Sequence, residues 1–316
     1  MFRRVLLLTV FGLLFAPCAY GQTQVPTIAD FAYGTDSPSQ KIDFWQAKSD
    51  KPTPVVLMIH GGSWKGGDKS YYNPAEKHWT YCDIPPLLDA GISVVTVNYR
   101  FINEAMEQNV APPVKACLYD AATALQTVRS KAQEWNIDPE RVGATGDSAG
   151  GCTILWLAMH DDLADSTSGD AITSQSSRLK CAAVNDAQTS LDPKELHEWM
   201  PNYTYGGHAF GFAKFDLFLA NREQVLPWIK EYSPIEWASK DDPPIYLDYP
   251  NQKKPPVVGQ NDPALAFTAH SAIHGIKLAE RLAPLGVEVV VSYPGHLDTK
   301  YGSINKFLIE KLTNSP

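Results

Sequence analysis

A serine at the apex of a strand-to-helix turn constrains this 316-residue chain more than any other feature. Gly146, Asp147, Ser148, Ala149, Gly150 and Gly151 fit the G-x-S-x-G pattern of a nucleophile elbow. Residues 141–145 read as a short buried strand before it, and the apolar run 152–159 as a helix after it. Such a turn holds its serine in a strained backbone and lifts the hydroxyl out of the sheet. The flanking glycines follow from the same geometry, because a Cβ there would meet the neighbouring strand and helix.

Apolar runs without alternation recur at 55–59, 92–97, 141–145, 179–184, 244–247 and 287–291. A strand of that kind is buried on both faces, as a parallel sheet requires. Between the runs, 114–135 and 271–282 carry apolar residues at three- and four-residue spacing, and Pro284 and Gly286 end the second. The expectation is an α/β fold: a doubly wound, mostly parallel sheet with its active site at the carboxyl ends of the strands. Residues 186–243 are irregular and rich in aromatic side chains. They are too long for a simple connection and read as a small helical cap insertion. Most of those aromatics are expected to pack the cap onto the core rather than line a pocket.

The amino terminus differs from the rest. Arg3 and Arg4 precede an apolar run from 5 to 16, and Ala19 and Gly21, either side of Tyr20, supply small residues at the two positions a signal peptidase reads. Residues 1–21 are therefore expected to be a signal peptide, with 22–316 as the mature domain and an exported, periplasmic or extracellular location. The run is short for a membrane span. A lipoprotein anchored through Cys18 is the alternative, disfavoured because Pro17 stands where a small residue belongs. Cleavage removes two arginines and no acid, leaving 25 basic against 35 acidic residues. So acidic a chain is a poor ligand for nucleic acid or anionic lipid. Cys82, Cys117, Cys152 and Cys181 remain, and four cysteines in an exported protein allow three pairings. Cys117 and Cys152 lie in apolar helical stretches, where buried free thiols are at least as favoured as bridges. No zinc- or calcium-ligand spacing is visible, and the chemistry expected below needs no cofactor.

Acyl transfer needs a nucleophile, a base, a group that orients the base, and donors for the oxyanion. Ser148 is the nucleophile. His60, Gly61, Gly62, Ser63 and Trp64 follow the first core strand, where a second donor loop belongs. The oxyanion donors expected are the N–H groups of Gly61, Gly62 and Ala149. With these motifs in place the chain resembles the esterase/lipase group of α/β-hydrolases. It is similar to the hormone-sensitive-lipase-like and BD-FAE-type carboxylesterases, which carry HGG-x-W and GDSAGG. Residues 98–100 and 137–142 also match, and the resemblance covers roughly 40 to 312, weakening after about 160.

The resemblance implies a triad in the order serine, acid, histidine. It places the base at His296, after the last strand. His270 and His274, at the start of a helix, read as structural or as supports behind the catalytic groups, and His60 as a support for the oxyanion loop. The acid belongs in a loop after the strand at 244–247. Residues 249–260 read as an insertion there, which gives Asp262 as the acid and Asp248 as the runner-up, its other role being a strand-end cap. The function expected is a secreted serine carboxylester hydrolase forming an acyl-enzyme, acting on acylated carbohydrate or small esters. A serine peptidase and a noncatalytic hydrolase-fold binding protein are the alternatives.

Overall fold

The computed structural model describes residues 25–314, with 77, 79 and 262–267 excepted. The signal segment at 1–21 and the expected acid Asp262 therefore lie outside the described residues. Strands β1 (Ile28–Ala32), β2 (Lys41–Trp45), β3 (Thr53–Ile59), β4 (Ser93–Val97), β5 (Ile137–Asp147), β6 (Cys181–Asn185), β7 (Ile245–Asp248) and β8 (Val289–Ser292) form a single sheet. Its order is β1-β2-β4-β3-β5-β6-β7-β8. From β4 to β8 every neighbour is parallel, while β1 and β2 pair antiparallel at one edge.

The six expected core strands are present, for the reason the sequence suggested. β3, β4 and β6 are buried at every position, since helices cover both faces of the sheet. On one face, helices Val114–Ser130 and Ser148–Met159 pack on β3 and β5, with Leu118, Leu125, Ile154 and Leu155 fully buried. On the other face, helices Ile84–Asp89 and Ile304–Thr313 contribute Leu87, Phe307 and Leu308 to a second cluster around Val56, Met58 and Tyr246.

The segment between β6 and β7 carries helices Pro193–Trp199, Phe215–Ala220 and Arg222–Tyr232. Tyr203, Phe210, Phe215 and Phe218 are buried there, with Phe210 stacked on Phe218 at 4.9 Å, so these aromatics pack as expected. The same segment meets the loop after β3, where His208 lies 6.2 Å from the Trp64 ring. All four described cysteines are buried free thiols. Burial pushes the Cys82, Cys152 and Cys181 thiols far above the ordinary range, so none is primed as a nucleophile. Among the described residues no helix is long and apolar enough to cross a membrane.

Candidate active site

The elbow forms as the sequence demands. β5 ends at Asp147, and helix Ser148–Met159 starts on the next residue. Ser148 has φ 49°, a left-handed conformation uncommon for a non-glycine residue. A Cβ on Gly146 would lie 2.6 Å from the Ile59 carbonyl oxygen, and one on Gly150 only 2.1 Å from it. The obstacle is backbone of β3, which cannot move aside, so these two positions require glycine.

The donor loop leans on that elbow. Trp64 is fully buried and its Nε1 donates to Thr153 Oγ1 at 3.0 Å, tying the loop to the elbow helix. Tyr99 Oη donates to the His60 carbonyl at 2.9 Å, and the His60 ring stacks on Tyr99 at 4.6 Å. His60 is buried, and burial pulls its pKa down, in keeping with a support for the loop. Gly62 has φ 105°, and a Cβ there would meet the Gly66 carbonyl oxygen at 2.1 Å.

The Gly61 N–H departs from expectation. It donates to Asp147 Oδ1 at 3.0 Å and is thereby spent on the loop-to-elbow joint rather than offered to an oxyanion. Tyr72 Oη donates to the same carboxylate oxygen at 3.3 Å. Of the three expected donors, Gly62 and Ala149 remain. Ala149 sits in the first turn of its helix, where an N–H has no intrahelical acceptor and the helix dipole favours an anion.

The imidazole that meets Ser148 belongs to His270, not to His296. His270 Nε2 lies 2.9 Å from Ser148 Oγ. His270 ends a short 3₁₀ turn, Thr268–His270, just before helix Ile273–Leu282. Burial lowers its pKa to about 4, so the ring is neutral at neutral pH and able to take a proton. His296 is exposed in the turn 293–296, where its N–H donates to the Tyr293 carbonyl at 2.8 Å and its ring stacks on Tyr293 at 5.3 Å. That tight turn, with Gly295 at φ 96°, keeps His296 on the end of β8. Pro255, from the insertion after β7, packs against Gly295. The insertion thus borders the turn that carries His296.

Among the described residues, the carboxylate of Asp186 faces the His270 ring. Asp186 Oδ2 lies 3.9 Å from His270 Nδ1, within ion-pair reach but longer than a hydrogen bond. Asp186 is 2% exposed and has φ 47°. Sheet register explains the juxtaposition. Asp147 pairs with Asn185 across β5 and β6, so Ser148 and Asp186 leave adjacent strands at the same level. Burial raises the Asp186 pKa to about 7, with Asp248 and Asp147 adding like charge, against hydrogen bonds from Asn251 and Tyr81. Asp248, the runner-up acid, is engaged elsewhere. Its side chain bonds Ser292 at the end of β8 and its carbonyl accepts from the Asp186 N–H at 2.8 Å, the work of a strand-end cap. His274 is fully buried beside the Tyr203 ring, where burial holds its pKa down at about 3. It is structural, as expected.

Local pattern in the sequence does not mark His270 and Asp186 as neighbours of Ser148. One signal for Asp186 was present: an acid directly after a core strand, at the sheet edge where such sites assemble. Among the described residues no cluster of histidine, cysteine and carboxylate groups is placed to hold a metal ion.

An elbow serine in left-handed backbone, beneath a glycine loop at the carboxyl edge of a mostly parallel sheet, defines an α/β-hydrolase. Within that class, residues 42–258 match the BD-FAE family, and the chain belongs to it. Carboxylesterase NlhH of Mycobacterium tuberculosis is 32% identical over 108 residues, 34% of this chain and 30% of that protein. Gut esterase 1 of Caenorhabditis elegans is 28% identical over 172 residues, 54% of this chain. The chain spans about 30% of the length of these curated relatives. Among solved structures, a truncated carbohydrate esterase from gut microbiota superposes with a TM-score of 0.62 at 20% identity, covering 92% of this chain and 99% of that one. An acetyl ester-xyloside bifunctional hydrolase from Caldicellulosiruptor lactoaceticus gives 0.56 at 23%, covering 80% and 76%. At these identities the structures speak to fold alone.

Proposed function

We propose that this chain is a serine carboxylester hydrolase working through Ser148, His270 and Asp186. The observation that carries the reading is the 2.9 Å bond between His270 Nε2 and the strained Ser148 hydroxyl. With its proton on Nδ1, His270 accepts the Ser148 proton at Nε2 as Oγ attacks the ester carbonyl. The carbonyl π electrons move to oxygen, and the Gly62 and Ala149 N–H groups stabilise the oxyanion. Collapse breaks the bond to the leaving oxygen, which takes the proton from His270 and departs as alcohol. Water then loses a proton to His270 as it attacks the acyl-enzyme; collapse breaks the bond to Ser148 Oγ, which takes that proton back, and the acid is released. Asp186 orients the ring and stabilises the imidazolium that forms twice per turnover.

Esters of acylated carbohydrates or small alcohols are the substrates this reading favours, in line with the family and with the named esterases it resembles. Export after cleavage behind Gly21 belongs to the same proposal, and mature protein beginning at Gln22 is its expected result. Hydrolysis of short p-nitrophenyl esters, compared with aminoacyl anilides, tests the activity. Wild type is expected to cleave the esters and spare the anilides, with Ser148→Ala lowering kcat by about 10⁴-fold or more while leaving Tm within about 2 °C. Cleavage of anilides alone would transfer the site to the peptidases. A folded wild type inert to both would favour a binding protein.

A further inference from the structure

The insertion after β7 has no part in the chemistry above, yet its first residues reach both sides of the site. Tyr249 Oη donates at 2.9 Å to the carbonyl of Ala187, the residue after Asp186. Asn251 Nδ2 donates to Asp186 Oδ2 at 2.7 Å and to Tyr81 Oη at 3.1 Å. Gln252 Oε1 accepts from the Ala272 N–H at 2.9 Å and the Ser271 hydroxyl at 3.3 Å, the two residues that follow His270. Tyr249 and Gln252 are fully buried. A Cβ on Gly275, in the helix behind His270, would meet the Tyr249 ring at 2.5 Å, so the helix is seated directly on this segment. Consecutive side chains thus fasten one short stretch to the acid's loop and to the base's turn.

We propose that residues 249–252 are a positioning clamp that sets His270 against Asp186, Asn251 holding the carboxylate and Gln252 the backbone that carries the imidazole. The proposal rests on the Ser148–His270–Asp186 reading. Both residues act through Asp186 and His270 and are positioning residues. The need for a clamp follows from the layout. The acid leaves β6 and the base precedes the helix after β7, and their nearest approach is the 3.9 Å contact between Nδ1 and Oδ2. Backbone error of about 1 Å in such a pair is enough to cost two orders of magnitude in rate. Asn251 has an electrostatic part as well. Its donor favours the ionised form of Asp186, against burial and the like charges of Asp248 and Asp147; Tyr81 donates too, and Tyr249 and His270 complete the surroundings.

The test is the pH profile of kcat and KM for a short p-nitrophenyl ester in Asn251→Ala, with Tm measured alongside. The acid limb is expected to move up by about one pH unit, with kcat at pH 7 lower by about ten-fold and KM within about two-fold. In an Asp186→Asn background, Asn251→Ala is expected to cost nothing further, because the carboxylate charge that serves the ring is already lost although the amide still accepts from Asn251. If Asn251→Ala does not fold, Asn251→Ser is measured in its place. At the other end, Gln252→Leu removes the acceptor and is expected to lower kcat about ten-fold with KM within about two-fold. An acid limb unmoved in the folded variant, or losses additive with Asp186→Asn, overturns the clamp alone. A fully active Asp186→Asn overturns the clamp and the triad together.

Discussion

Replacing His270 with alanine lowers kcat/KM for p-nitrophenyl acetate by about 10⁴-fold, and replacing His296 leaves it within about two-fold. The asymmetry follows from placement. His270 Nε2 is 2.9 Å from Ser148 Oγ and is the group able to take its proton. Without it the hydroxyl must lose a proton to water, and only the oxyanion donors and substrate binding remain to lower the barrier. His296 is exposed on a turn closed by the Tyr293 and His296 backbones, where an alanine keeps both hydrogen bonds. Steady-state kinetics of the two variants decide the matter. A silent His270→Ala beside an inactive His296→Ala would reverse the assignment.

Asp186→Asn is expected to lower kcat by about 10³-fold and to raise Tm by about 2–4 °C at pH 8. The kinetic loss arises because an amide neither fixes the Nδ1–H tautomer nor balances the imidazolium. The gain in stability has a separate cause. Burial raises the folded pKa of Asp186 to about 7, above the ordinary value of 3.8. Between those two values the folded chain holds a proton that the unfolded chain has released. Stability from this group is therefore full at low pH and lost as pH rises through about 7. Asparagine removes the titration and still accepts from Asn251. The stability difference between variant and wild type should widen from pH 4 to 7 and then level off. The acid limb of kcat/KM, which belongs to the His270–Asp186 pair jointly in wild type, should move down in the variant to the titration of His270 alone. Thermal melts across that range check the first point and pH–rate profiles the second. A constant difference in Tm would mean that Asp186 is ionised in the folded chain throughout.

Much of this was legible in the sequence, and the boundary has a physical basis. Six core strands announce themselves because burial on both faces forces unbroken apolar runs, as in β3 and β4. β1 and β2 do not. They pair antiparallel at an edge, and Asp30, Lys41 and Asp43 interrupt them, so no apolar run forms. The elbow is legible because its glycines stand at fixed spacing around Ser148, although the backbone that requires them, the Ile59 carbonyl, belongs to β3. Trp64 is legible from its place in the HGG-x-W motif, although its partner Thr153 lies 89 residues along the chain. His270 and Asp186 meet Ser148 only through the register of β5 and β6 and the insertion after β7, 122 residues along the chain in the case of the histidine. The family resemblance pointed to His296, which the structure places in the exposed turn after β8. The use of the Gly61 N–H by Asp147 was equally hidden, because a motif gives the presence of a donor but not its partner.

The most direct test of the account is the second-order rate of Ser148 labelling by a fluorophosphonate in wild type, His270→Ala and His296→Ala, with Ser148→Ala as the blank. The account predicts rapid labelling in wild type and His296→Ala, a rate lower by at least about 10²-fold in His270→Ala, and none in Ser148→Ala. Wild-type labelling that persists in His270→Ala and disappears in His296→Ala would contradict it.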